Sequence, residues 1–104
     1  MEHPMAHYIL LAKLTHQGIT RINEKELHDR WDSFVKLLES KGGKLVAFYA
    51  TLGTYDYVIT ADLPNDAAAL EVSLATGKKG NVTFETCRAF DYAEFAKAVE
   101  STAG

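Results

Sequence analysis

The chain has 104 residues, of which 47% are hydrophobic and 24% charged, and its formal net charge is −3 at neutral pH. These ordinary values and this length fit one globular domain, residues 1–104. The acidic balance argues against nucleic-acid binding, and no apolar run reaches the ~18 residues that span a membrane. A compact monomer of this size should expose roughly 5,800 Å² of surface.

In the first half of the chain, we expect a mobile terminus at residues 1–6, without the basic and apolar regions of a signal peptide. Residues 7–14 are mostly apolar and predict a strand, followed by an irregular turn. Asn23 begins a long helix and Gly42-Gly43 ends it. Steps of three and four place four apolar residues on one face of this helix: Leu27, Trp31, Phe34 and Leu38.

The second half contains a hairpin, a helix, a strand and a further helix. The hairpin strands are predicted at 44–52 and 55–62, joined by a tight turn at Gly53-Thr54. Asp91 and Glu94 form a capping box for the last helix. The three remaining elements are predicted as a helix at 67–76, a strand at 81–90 and a short C-terminal helix at 92–100.

The element order β-α-β-β-α-β plus a terminal helix predicts an α+β fold of the ferredoxin-like kind. We expect a four-stranded antiparallel sheet with both main helices on one face. Alternation along the strands gives an apolar helix face, which includes Val46, and an open face of mixed polarity. The open face is predicted to carry His7, Ile9, Leu11, Lys13, Leu45, Ala47, Tyr49, Thr51, Asp56, Val58, Thr60, Thr83, Glu85 and Cys87.

An open face of roughly 500 Å² that contains isoleucine, leucine and valine is seldom left uncovered on a monomer. The same face of a second copy is the simplest cover, which predicts a homodimer with a shared, barrel-like interior. The polar side chains would then line a cleft at the interface. The alternative is that the C-terminal helix covers part of the face.

Several short segments, taken in order, resemble the GYD-domain family of small bacterial and archaeal proteins. They lie between about Tyr8 and Phe90 and are Tyr8-Ile9-Leu10-Leu11, Leu14 to Ile19, Gly42 to Leu45, Thr51-Leu52-Gly53-Thr54-Tyr55-Asp56, Gly80-Asn81-Val82 and Arg88-Ala89-Phe90. The resemblance implies a ferredoxin-like fold of the dimeric α+β barrel type, but no established activity. His16 and Cys87 stand where this pattern would have an acidic and an aliphatic residue.

Asp56 is the strongest single site candidate, because aspartate is disfavoured in strands and here falls on the open face. It is either a ligand-contacting carboxylate or general base, or a structural acceptor of hydrogen bonds in the hairpin. Tyr49 and Tyr55 offer flat walls with one hydroxyl each, which suit an aromatic ligand or an interface equally. The predicted ligand-binding residues are therefore Asp56, Tyr49, Tyr55, His7 and Glu85.

No metal or cofactor is predicted. His28 and Asp32 are one helical turn apart, but two ligands do not complete a zinc site. Cys87 is the only cysteine, so it forms no internal disulfide and is interpreted as a small packed hydrophobe. A chain without a disulfide or a membrane segment is expected in the cytoplasm.

Two functional hypotheses follow from these patterns. The first is a homodimer that binds a small organic molecule in the cleft at the sheet face, with no nucleic-acid or membrane partner. The alternative is a cofactor-free enzyme of the monooxygenase or isomerase kind, by analogy with other dimeric α+β barrels. Whether the chain is an enzyme, and which residue would be catalytic, stays open from the sequence.

Overall fold

A four-stranded antiparallel sheet in the order β2-β3-β1-β4 organises the chain. The computed structural model describes residues 5–103. Its elements are β1 (Ala6–Leu14), α1 (His16–Thr20), α2 (Glu24–Ser40), β2 (Lys44–Ala50), β3 (Tyr57–Leu63), α3 (Asp66–Lys78), β4 (Val82–Ala89) and α4 (Tyr92–Ser101). The predicted α+β, ferredoxin-like fold is confirmed. Of the terminus predicted at 1–6, residues 1–4 lie outside the described residues, and β1 begins at Ala6.

The core lies between the sheet and the two long helices. Leu10, Leu38, Leu63 and Val72 are each less than 2% exposed at its centre. The Tyr8 hydroxyl donates a hydrogen bond to Asp66 Oδ1 at 2.6 Å, which ties β1 to the first turn of α3. Burial, together with this hydrogen bond, raises the pKa of Tyr8 to about 12.

The hairpin differs from its prediction, because a loop of residues 51–56 replaces the tight turn. The Thr51 N–H donates to Asp56 O at 2.8 Å and closes this loop. The Asp56 N–H donates to Ala12 O at 2.8 Å, which brings the end of the loop to β1. The N–H and the carbonyl oxygen of Asp56 are therefore both hydrogen-bonded in the loop, and β3 begins at the next residue, Tyr57.

A bulge in β2 places two side chains on the face of the sheet opposite to the predicted one. Leu45 pairs with Ala61 and Ala47 pairs with Thr60, so one extra residue stands between them on β2. Leu45 consequently packs against the core, whereas Val46 is 56% exposed. The sequence-based placement of these two side chains was wrong, since alternation counts strictly by two and does not detect a bulge.

The helices follow their predicted patterns with two differences. Residues 16–20 form a short helix, α1, where an irregular turn was expected. On α3 the buried face consists of Ala68, Ala69 and Val72, while Leu70 and Leu74 point outward and are 61% and 55% exposed. No helix in the described part of the chain is long and apolar enough to cross a membrane.

Candidate functional site

The open face of the sheet carries four of the five predicted ligand-binding side chains. Strand pairing places Tyr49 opposite Val58, Val58 opposite Leu11, and Leu11 opposite Glu85. These residues form one row across the sheet, because directly paired residues point to the same face. Tyr49 is 64% exposed at the outer end of this row.

Tyr55 and Glu85 meet at the β4 end of this row. The Tyr55 hydroxyl donates a hydrogen bond to Glu85 Oε2, and the Lys13 ammonium lies 5.6 Å from the centre of the Tyr55 ring. The hydrogen bond to Glu85 is the main reason that the pKa of Tyr55 is raised. The arrangement is a small surface network in which each polar group already has a partner within the chain.

The Asp56 carboxylate points to the backbone of β1. Its Oδ2 accepts a hydrogen bond from the Leu14 N–H at 2.8 Å. This contact fixes the end of β1 beside the start of β3, and it agrees with the structural interpretation of Asp56. The amide that it binds belongs to β1, on the neighbouring strand, and not to the residues around Gly53.

His7 lies at the other end of β1, four residues or about 13 Å from the Leu11 row. Its Nδ1 lies 2.6 Å from Asp62 Oδ1, and its Nε2 lies 3.8 Å from Asp91 Oδ2 and 3.9 Å from Glu94 Oε1. The hydrogen bond to Asp62 is the main cause that raises the pKa of His7. Within one chain, His7 thus lies apart from the other four predicted residues.

His7, Asp91 and Glu94 are close enough together that one atom of each could hold a metal ion. Asp91 and Glu94 are also the capping box of α4, in which each side chain accepts a hydrogen bond from the other residue's backbone N–H. Helix capping and attraction to a protonated His7 therefore explain this cluster without a metal.

A deeper cleft lies on the opposite side of the sheet, between α2 and the strands. Its volume is about 370 Å³, within the usual range for small-molecule sites. Most of its wall is apolar or aromatic, and the side chains concerned are Leu27, Trp31, Phe34, Phe48, Tyr57, Ile59 and Val82. We call this space the helix-side cleft.

Aromatic contacts stiffen the walls of the helix-side cleft. The Trp31 and Phe48 rings meet edge to face, with centroids 5.2 Å apart, and Phe48 also lies 5.2 Å from Tyr57. Such pairs add to the stability gained from area burial alone. Burial raises the pKa of Tyr57, so this hydroxyl stays protonated at neutral pH.

Two residues that line the cleft each have a buried polar atom without a partner. Arg30 donates through Nε to Glu26 at 3.3 Å and through Nη1 to Gly18 O at 3.0 Å. Arg30 Nη2 and Thr76 Oγ1 are buried, and neither has a hydrogen-bond partner within residues 5–103. Buried donors and acceptors of this kind are rare in folded proteins and point to an absent water or ligand.

Sequence reasoning missed the helix-side cleft because it assigned Leu27, Trp31 and Phe34 to the core. Arg30 is the signal that was available, since it stands three residues after Leu27 and four before Phe34. A charged residue at these steps borders the apolar face of the helix. Trp31 is 39% and Leu27 41% exposed, so both stand at the mouth of the cleft.

Comparison with solved structures shows a shared fold. A hypothetical Arabidopsis thaliana protein, solved in solution, matches with a TM-score of 0.50 at 12% identity, over 88% of this chain and 95% of that one. Proteins of unknown function from Rhodopseudomonas palustris and Nitrosomonas europaea match with TM-scores of 0.47 and 0.48, at 17% and 14% identity. These matches cover 86% of this chain in both cases, and 85% and 94% of the other chains.

No curated protein is significantly similar to this sequence. The family model for the GYD domain, in contrast, matches residues 8–99. This range contains every segment on which the resemblance in sequence was based, and it includes α2, α3, all but the last two residues of α4 and all but the first two residues of β1. Because the match covers most of the chain, this protein belongs to the GYD-domain family.

Proposed function

We propose that this protein binds a small organic molecule in the helix-side cleft and that it does so as a homodimer. The single observation that carries the binding proposal is the mainly apolar cleft of about 370 Å³ that Arg30 helps to line, a residue whose buried Nη2 has no partner within residues 5–103. A pocket of mainly apolar walls with a few convergent polar groups is the usual form of a ligand site.

The chemistry of the cleft suggests the class of ligand. Trp31, Phe48 and Tyr57 favour a flat, mainly apolar body. Arg30 is already paired with Glu26, so its remaining donor calls for an oxygen acceptor and not for a full negative charge. Thr76 Oγ1 can donate to or accept from the same molecule. The ligand is therefore an aromatic or alicyclic compound with a carbonyl or hydroxyl oxygen.

The exposed surface supports the homodimer. The chain exposes 7255 Å², against the roughly 5,800 Å² expected of a compact monomer of its size. Tyr49 and Val46 contribute exposed apolar area to the open face. A second copy packed on this face would cover it, and the lone Cys87, which forms no disulfide within the chain, suits a reducing compartment such as the cytoplasm.

The enzymatic alternative has less support. Among the residues that line the helix-side cleft there is no histidine and no cysteine. The titrating group that lines it with a shifted pKa is Tyr57, and the shift is upward, away from the range in which general bases work. We therefore place binding ahead of catalysis.

The binding proposal is tested with naphthalene, naphthol and naphthoate, which share one flat body and differ in their polar group. Trp31 is the only tryptophan, so its fluorescence reports occupancy of the cleft directly. We expect naphthol to bind roughly tenfold more tightly than naphthalene, and no more weakly than naphthoate. Arg30→Met and Thr76→Val should each reduce the preference for naphthol over naphthalene.

Tyr55→Phe and Tyr49→Ala on the open face are the controls, and neither should change the affinity. Circular dichroism confirms that each variant is folded. If the open-face variants lost binding while the Thr76→Val variant retained it, the site would lie on the sheet face and not in the helix-side cleft. Equal affinities for all three probes would contradict the role of Arg30.

A further inference from the structure

The last helix, α4, is amphipathic, and its apolar face is left uncovered in the described chain. Tyr92, Phe95 and Val99 follow at steps of three and four and therefore share one face, which we call the α4 stripe. They are 85%, 63% and 53% exposed, and no residue of α4 is buried. The capping box holds the first turn of the helix, so α4 is formed although its apolar face has no cover.

The molecule is less compact than a typical domain of its length. The radius of gyration is 15.4 Å, whereas a compact domain of this length has about 13 Å. The longest dimension is 54 Å and the shortest is 19 Å. An exposed apolar stripe of this kind is unfavourable in water, which argues for a partner that covers it.

A shallow apolar groove lies on the open face near the base of α4. Its lining includes Ile9, Val46, Thr60 and Phe90, and Val46 reaches it because of the bulge in β2. Asp91, the N-cap of α4, also borders the groove. The helix starts beside this groove, yet its α4 stripe does not occupy it.

We propose that α4 is an arm that packs against a second copy of this chain, with the α4 stripe in the groove of the partner's open face. This inference rests on the proposed homodimer and adds one specific contact between the two copies. In a two-fold dimer the two arms are exchanged symmetrically, so each contact occurs twice.

The exposed area agrees with a second copy as the occupant. The exposed parts of the stripe and of Val46, Tyr49 and Phe90 amount to roughly 700 Å², taking about 150–200 Å² for each complete side chain. A stable interface buries about 800 Å² on each partner. On the α4 stripe and the open face together, one chain therefore leaves uncovered an apolar area close to one side of a standard interface.

The first test measures the dissociation constant of the dimer by sedimentation in the full-length chain. Phe95→Ser and Val99→Ser remove apolar contacts of the stripe and should raise this constant roughly tenfold or more. Lys97→Ser changes an exposed residue on another face of α4 and should leave it unchanged. If the Phe95→Ser and Val99→Ser variants associate as tightly as the wild type, the proposed position of α4 is wrong, whereas the homodimer proposal is not contradicted.

A second test identifies where the arm lies. Two versions of the chain, both with Cys87→Ser, carry either Val99→Cys or Val46→Cys and differ in mass through a tag. After mixing and cross-linking with a short bismaleimide, we expect the mixed product, and none when Lys97→Cys replaces Val99→Cys. Absence of the mixed product would overturn the groove as the docking position, and a wild type that stays monomeric would overturn both the dimer and the arm.

Discussion

The charged side chains at the two ends of β1 are held by partners within the chain. Asp56 accepts from the Leu14 N–H at one end, and His7 pairs with Asp62 at the other. From residue type and position in the sequence alone, Asp56 and His7 were both predicted to bind a ligand. Their hydrogen bonds place each side chain at the junction between β1 and β3, which pair over residues 6–12 and 57–63.

The contact of Asp56 with Leu14 predicts a loss of stability on truncation. Asp56→Ala leaves the Leu14 N–H without its acceptor and should lower the free energy of unfolding by about 1–3 kcal/mol. Asp56→Asn keeps an oxygen at the same place and should cost less. Urea denaturation measures both values. Equal stability of Asp56→Ala and the wild type would contradict the structural role.

His7 predicts a pH dependence with a defined sign. Its pKa is raised above the ordinary 6.5, chiefly by the hydrogen bond to Asp62. The stabilisation is therefore complete below about pH 6.5 and is lost as the pH rises through the folded-state pKa. An NMR titration should show the raised pKa in the wild type and a value nearer the ordinary one in Asp62→Asn.

The unfolding free energy provides the matching control for His7. The difference between the wild type and His7→Gln should shrink as the pH rises above neutrality, since Asp62 stabilises the charged histidine more strongly than the neutral one. A difference that is constant between pH 6 and 9 would contradict a raised pKa of His7 in the folded state.

At the scale of elements, one close approach fixes how α1 sits beside β4. Thr15 N–H donates to Asn81 O at 3.0 Å, and a Cβ added to Gly18 would lie 2.0 Å from the same oxygen. Only glycine fits here. Gly77 in α3 is the opposite case, since a Cβ added there meets nothing within 4 Å.

These two glycines make a matched pair of substitutions. Gly18→Ala should destabilise the protein by about 2 kcal/mol, because the methyl group forces α1 away from Asn81. Gly77→Ala should stabilise it by roughly 0.5–1 kcal/mol, since alanine is the better helix former. Thermal unfolding measures both. A stabilising Gly18→Ala would contradict the close packing of α1 on the residues before β4.

Local sequence patterns predicted most helices and strands, but not the irregular positions between and within them. The spacing of Leu27 and Leu38 and the cap at Asn23 were sufficient for α2, because helical periodicity and capping act within a few residues. The bulge at Val46 and the loop that ends at Asp56 were not predictable. Both depend on pairing with β3 and β1, which lie elsewhere in the sequence.

At the scale of the whole molecule, the surface is larger and the shape longer than a compact monomer allows. Part of the exposed apolar surface lies on the open face and on α4, where Tyr49, Val46 and Phe95 are exposed. The outer side of α3 also exposes Leu70 and Leu74. The sheet face and the helix surface are therefore competing positions for an interface, and they can be separated by experiment.

We expect Tyr49→Lys to weaken the dimer and Leu70→Lys to leave it intact. Both residues are more than half exposed in the monomer, so neither substitution should unfold it. Sedimentation of the two variants against the wild type should give a dissociation constant raised roughly tenfold or more for Tyr49→Lys alone. The reverse result would place the interface on the outer helix surface.

The sequence by itself determined the order of the strands and longer helices, the antiparallel sheet, most of its two faces and the family. These follow from periodicity, caps and short motifs, which are local properties. Only the tertiary structure decided where Leu45 and Val46 point, which partners hold Asp56 and His7, and that a cleft lies beside Arg30. The reason is physical: bulges, hydrogen-bond partners and cavities arise between segments that are distant in the chain, and no local pattern records them.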